Sequence, residues 1–126
     1  MMVTVLIIED NKQNMYMLAY LLESCRYKII KAYNGEEGLK LANENHPDII
    51  LMDIQLPDMD GYEICISLRK SGIPKNTTII AVSSYVMDAD KEKAIEVGVD
   101  AYIEKPINPD TFIEEMQDIY KVKNQN

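Results

Sequence analysis

Four short stretches carry the residues able to do chemistry. They are Glu9-Asp10, Asp53, Ser83-Ser84 and Glu104-Lys105-Pro106, and each follows directly on a short apolar run. Carboxylates brought together repel one another unless a cation lies among them. Hard oxygen donors at that density suit Mg²⁺, which takes one or a few carboxylates and keeps several waters. With a lysine and a hydroxyl added, the same pocket suits a phosphoryl group. The metal and Lys105 neutralise its charge, and the Ser83 hydroxyl donates to an equatorial oxygen. Asp53 is then a candidate covalent nucleophile that forms an aspartyl phosphate. A plainer reading stands beside this one. An acidic residue at a strand end is also a helix N-cap, and Asp10 fits that role alone.

The pocket requires elements that bring these stretches to one place. Five β-branched runs, Val3–Ile8, Lys28–Ala32, Ile49–Met52, Thr78–Val82 and Ala101–Ile103, alternate with segments of helical spacing. Leu18, Leu22 and Cys25 share a face of the first such segment. Ile64, Cys65 and Leu68 share a face of the third, and Phe112, Met116, Ile119 and Tyr120 a face of the last. Strands alternating with helices predict right-handed crossovers and a parallel sheet covered on both faces, an α/β doubly wound fold. Ile49 to Met52 is apolar without alternation, as a strand covered on both sides should be. Ligands in such sheets bind beyond the carboxyl ends of the strands, where all four stretches fall.

Punctuation agrees with this division. Asn34 precedes Glu37 and Asp60 precedes Glu63 at capping-box spacing. Asn108-Pro109 reads as an N-cap with proline at the first helical position. Gly72 and Gly98 stand where helices should stop.

Length and charge narrow the function. The 126 residues suit one domain over 1–126, with a polar tail at 122–126 expected to fray and no length for an effector domain. Asp and Glu number 21 against 13 Lys and Arg, a net charge of −8. That balance argues against direct nucleic-acid binding and against an anionic membrane surface. The apolar run at the amino terminus is too short for a signal peptide or a membrane span, so a cytoplasmic protein is expected. Cys25 and Cys65 form no disulfide framework or zinc site and are expected to be small buried hydrophobes. His46 has no second histidine or cysteine to join and reads as a surface residue.

The motifs Val5-Leu-Ile-Ile-Glu-Asp-Asn11, Ile49-Ile-Leu-Met-Asp-Ile-Gln-Leu-Pro-Asp-Met-Asp-Gly61, Ile80-Ala-Val-Ser-Ser84 and Ala101-Tyr-Ile-Glu-Lys-Pro-Ile107 stand in that order. The chain from about Val3 to Tyr120 resembles the receiver domain of two-component response regulators, of the single-domain type. The resemblance implies a flavodoxin-like sheet of five strands in order 2-1-3-4-5 with five helices. It implies Asp53 as phosphoacceptor and a Mg²⁺ site made by Glu9, Asp10, Asp53 and the backbone carbonyl of Gln55. It makes Lys105 the phosphoryl partner, aimed by a cis bond to Pro106. Ser83 corresponds to the switch hydroxyl and Tyr102 to the switch aromatic. Glu9 in place of Asp, Ser83 in place of the commoner Thr, and Ser84 where Ala is frequent are mild departures. With the variable positions Gln55 and Tyr85, they leave the phosphoryl lifetime open.

The implied function is acceptance of a phosphoryl group from phosphohistidine on a sensor kinase or phosphotransfer protein. Output passes through phosphorylation-dependent contacts with a downstream protein. The chain would be no enzyme beyond its own phosphorylation and dephosphorylation. An Asp-nucleophile phosphatase of the haloacid-dehalogenase type also uses Mg²⁺, but it needs an acid two positions after the nucleophile, where Gln55 stands. A receiver excised from a hybrid kinase would read the same. A degenerate scaffold would have lost pocket residues, and none is lost. One further feature concerns partners. Met15 to Leu22 is free of charge, and at 100° per residue Tyr16 and Tyr20 fall opposite Leu18 and Leu22, with Met17 flanking. Tyr16, Met17 and Tyr20 are therefore expected to be exposed as a contact patch on the helix that receivers offer to their phosphodonors.

Overall fold

The computed structural model describes residues 2–84, 92–93 and 95–125. Strands β1 (Thr4–Ile8), β2 (Lys28–Ala32), β3 (Ile49–Asp53), β4 (Thr78–Ser83) and β5 (Ala101–Glu104) form one sheet. All pairings are parallel, in the order β2-β1-β3-β4-β5. Helices α1 (Lys12–Ser24), α2 (Gly35–Asn45), α3 (Gly61–Lys70) and α4 (Phe112–Lys123) connect and cover it. Five helices were expected. Among the described residues four have defined bounds, and Glu92, Lys93, Ile95 and Glu96 are helical where the remaining one was anticipated. Tyr85 lies outside the described residues.

Period-two alternation divides the three central strands between two cores. Leu6, Ile8, Ile50, Met52, Ile79 and Ala81 pack on one face with Ile64, Cys65 and Leu68 of α3. Val5, Ile7, Ile49, Leu51, Ile80 and Val82 pack on the other with Met15, Leu18 and Leu22 of α1 and Phe112 and Met116 of α4. Both sets are buried, so strands whose side chains alternate between the two faces still read as continuous apolar runs. Each fully buried aliphatic contributes about 2 kcal/mol by leaving water. The result is a rigid platform whose strand ends are well fixed.

Helix starts follow the sequence signals with local differences. Asn34 Oδ1 accepts from the Glu37 amide at 2.8 Å. Asp60 also caps its helix, but through the Tyr62 amide rather than that of Glu63. The amide of Asn14 donates to Asn11 Oδ1 at 2.9 Å, so Asn11 caps α1 and Asp10 does not. The Asn108-Pro109 signal opens a turn instead of the helix. Asn108 O accepts from the amides of Thr111 and Phe112, and α4 starts at Phe112 with Thr111 as its cap. Gly72 and Gly98 have φ of 96° and 106°, the left-handed conformation expected of helix stops.

One expectation fails in the core. Cys65 is buried, but Cys25 is exposed. Helix α1 ends at Ser24, so Cys25 is its C-cap and leaves the stripe that Leu18 and Leu22 continue. His46 is exposed as expected and caps the carboxyl end of α2 with φ of 46°.

Candidate functional site

The site residues occupy the last rungs of the sheet. The Glu9 amide donates to Ala32 O at 3.0 Å, continuing the β1–β2 ladder one residue past β1. Asp53 is the final residue of β3, and the Ile54 amide after it donates to Val82 O. The Lys105 amide donates to Ser83 O at 2.7 Å, continuing β4–β5 past Glu104. Side chains that begin on ladder rungs have little freedom of origin. Four distant stretches of sequence therefore converge with fixed geometry.

Lys105 lies at the centre. Its Nζ is 2.9 Å from Glu9 Oε1 and 3.2 Å from Asp53 Oδ2. Burial opposes the ammonium charge, but the hydrogen bond to Glu9 and the charges of Asp53 and Glu9 outweigh it. The lysine pKa stands above its ordinary value. Glu9 and Asp53 are themselves buried, at 2% and 7% exposure. Asp53 is held at both oxygens, since Oδ1 accepts from the Gln55 amide at 2.9 Å. The Lys105-Pro106 bond is cis.

Asp10 is exposed beside this pair. One oxygen from each of Glu9, Asp10 and Asp53 lies within 4.8 Å of the others. Asp10 makes no ion pair or side-chain hydrogen bond among the described residues. Three carboxylates against one ammonium leave two uncompensated negative charges, and the donors are all hard oxygens. This donor set fits a small divalent cation such as Mg²⁺. The Gln55 side chain is exposed, and its backbone forms an isolated bridge with Asp60 that closes the loop after β3. The loop is tight. A Cβ on Gly61 would lie 2.7 Å from Ile54 Cα, so only glycine allows this closure.

Ser83 ends β4 at 2% exposure, paired in register with Glu104, and Ser84 is exposed. Tyr102 of β5 is half-buried against the core on the α3 side. On α1, Tyr16 and Tyr20 are 73% and 65% exposed, with rings stacked at 6.5 Å. Met17 is half-buried rather than exposed. It lines a cleft of about 470 Å³ with Asn14, Ser84, Lys105, Pro106 and Ile107. The expected patch thus divides into two stacked rings on the surface and a methionine in the cleft that leads to the lysine.

Residues 5–117 match the family model of the response regulator receiver domain. The chain belongs to that family. The polar-differentiation response regulator DivK of Brucella ovis is 42% identical over 111 residues, covering 88% of this chain and 90% of that one. DivK of Brucella anthropi is equally similar over the same shares. Among solved structures, the chemotaxis response regulator CheY4 of Vibrio cholerae superposes with a TM-score of 0.90 at 27% identity, over 94% of this chain and 99% of that one. A CheY-like receiver domain protein from Methanospirillum hungatei gives 0.91 at 26% identity, over 99% and 98%. The protein is a receiver with the flavodoxin-like order expected of it, and the phosphatase reading is not favoured. No helix among the described residues is long and apolar enough to cross a membrane.

Proposed function

We propose that this receiver accepts a phosphoryl group from a phosphohistidine donor onto Asp53 in a Mg²⁺-dependent reaction. The observation that carries the reading is Lys105, whose ammonium bridges Glu9 and Asp53 while Asp10 stands unpaired beside them. An Asp53 carboxylate oxygen forms the new P–O bond. The P–N bond of the donor breaks, and its electron pair returns to the imidazole nitrogen. Glu9, Asp10, Asp53 and the Gln55 carbonyl would hold the ion. Bound there, Mg²⁺ neutralises charge on the transferring group. Lys105 is placed to exchange its contact with Asp53 for one with a phosphoryl oxygen, keeping Glu9 as its other partner. The Gln55 amide holds one carboxylate oxygen and so limits the rotation of Asp53. Position 55 offers no carboxylic acid to protonate a leaving group, which separates this site from an Asp-nucleophile phosphatase.

The output follows from the same geometry. A phosphoryl group on Asp53 adds about two negative charges and three acceptor oxygens. Ser83 and Tyr102 are the switch pair in this reading. The Ser83 hydroxyl moves toward the phosphoryl, because a charge-assisted hydrogen bond outweighs a neutral one. Tyr102 follows into the space left, which changes the surface around β5 that a downstream protein reads. Serine fills less space than threonine, so a biased mixture of states is expected. The partners are a histidine kinase or histidine phosphotransfer protein and a downstream protein target, in the cytoplasm, with no direct nucleic-acid or membrane contact. The protein acts as a stand-alone response regulator in a phosphorelay or as an output regulator, and it catalyses only its own phosphorylation and dephosphorylation.

The donor docks on α1 in this account, with the stacked Tyr16 and Tyr20 rings beside the cleft that leads to Lys105. Tyr20→Glu is expected to slow transfer from a phosphohistidine donor, identified by transfer profiling, by about tenfold. Labelling by acetyl phosphate, which needs no docking surface, should keep its wild-type rate. Equal loss of both would contradict the docking assignment.

A further inference from the structure

Helix α2 has an unusual amino end. Four backbone amides at a helix start have no partner within the helix. Here the Glu37 amide is satisfied locally by Asn34 Oδ1 at 2.8 Å, and the Gly38 amide makes the first bond of the helix, to Asn34 O at 3.0 Å. Two more of the free amides are satisfied from a distance. Gly35 N–H donates to Asp58 Oδ1 at 2.8 Å, and Glu36 N–H donates to Asp58 Oδ2 at 3.0 Å. Asp58 lies 22 and 23 residues away, in the loop that follows the phosphoacceptor. The contact is close-fitting as well as polar. A Cβ on Gly35 would lie 3.0 Å from Met59 Cβ and 2.9 Å from Ile64 Cδ1. The two amide hydrogen bonds, Gly35 before Glu36, hold the Asp58 carboxyl below its ordinary pKa although the group is exposed.

The loop itself is a stiff unit. The Gly61 amide donates to Ile54 O at 3.1 Å, and Gln55 bridges Asp60. A stiff loop transmits a restraint from one side to the other. On its near side the loop presents the Gln55 amide, which donates to Asp53 Oδ1. On its far side Asp58 grips α2. We infer that Asp58 is a positioning residue: by anchoring the 54–60 loop on the amino end of α2, it holds the Gln55 amide on the phosphoacceptor carboxylate. The consequence for Mg²⁺ rests on the proposed function, because Asp53 and Gln55 belong to the site that would hold the ion. Asp58 itself touches neither the ion nor the donor.

Three variants separate positioning from plain stability. Asp58→Ala removes both acceptors, and Asp58→Asn keeps one oxygen. Asn34→Ala weakens the same helix end without touching the loop, with a typical capping loss. Two readouts are used. The first is hydrogen exchange at the Gln55 amide in metal-free protein, followed by NMR. The second is Mg²⁺ affinity by calorimetry. Asp58→Ala should speed Gln55 exchange about tenfold and weaken Mg²⁺ binding about tenfold, as loss of an outer support of a metal site typically does. Asp58→Asn should fall between, and Asn34→Ala should match wild type in both. Wild-type values in Asp58→Ala, or equal losses in Asn34→Ala, would overturn the inference. If wild-type protein takes up no Mg²⁺, the proposed function fails, and exchange at Gln55 alone decides the role of Asp58.

Discussion

The two ends of the sheet treat charge in opposite ways. At the amino edge, Asp100 stands just before β5. It accepts from the Ile79 amide at 2.8 Å, from Arg69 Nη2 at 2.9 Å and from Lys123 Nζ at 2.9 Å. Arg69 also donates to the carbonyls of Gly98, through Nε and Nη2, and Thr77, through Nη1. One carboxylate there has two cations, and α3, β4, β5 and α4 are tied together. At the carboxyl edge, three carboxylates share one lysine. The first cluster is saturated in its contacts, since both oxygens of Asp100 are engaged. In the second, carboxylates outnumber the ammonium, and Asp10 has no partner among the described residues. The first arrangement serves stability, and the second fits the cation site proposed above. The same fold keeps the two tasks on opposite sides of a rigid core.

This contrast can be broken or sharpened by measurement. Arg69→Ala should lower stability in urea unfolding by about 3 kcal/mol, because it removes one part-buried ion pair and three hydrogen bonds to backbone carbonyls together. Acetyl phosphate labelling of the folded variant should stay at the wild-type rate. Lost labelling in a folded variant would show that the two ends are coupled. Mg²⁺ should act in the reverse sense. At a free concentration one hundred times its dissociation constant, it should stabilise the protein by about 2.7 kcal/mol, read as a rise in Tm. Asp10→Asn should shrink that rise, and a Tm independent of Mg²⁺ would count against the site. The smallest effect concerns a flaw at the saturated end. The Thr78 hydroxyl is fully buried and finds no hydrogen-bond partner among the described residues. Thr78→Val should therefore raise stability by about 1 kcal/mol, and a loss would mean that the hydroxyl has a partner such as an ordered water.

Sheet and site were legible in the sequence for a shared reason. Glu9, Asp53, Ser83 and Lys105 each end or directly follow an apolar run, and ladder pairing brings the ends of parallel strands together. What escaped the sequence depends on contacts across long separations. Nothing local marks the meeting of Arg69, Asp100 and Lys123, and Lys123 lies in the tail expected to fray, yet it ends α4 and pairs with Asp100. Asp58 caps a helix that begins 23 residues earlier, and no signal near it in sequence points there. Helix ends were the other weak point. Cys25 follows the apolar stripe of α1 in spacing, but the helix stops one residue short of it. Met17 stands near the tyrosine side in a helical projection, and a projection shows nothing of the cleft that it lines with the β5–α4 connection.

In the proposed function, the excess of carboxylates at the carboxyl edge prepares Asp53 for a phosphoryl group. Intact-mass spectrometry after incubation with acetyl phosphate tests it most directly. Wild-type protein should gain the mass of one phosphoryl group with Mg²⁺ and none when the ion is chelated, and Asp53→Asn should gain none in either condition. Persistent labelling of Asp53→Asn, or labelling indifferent to Mg²⁺, would contradict the account.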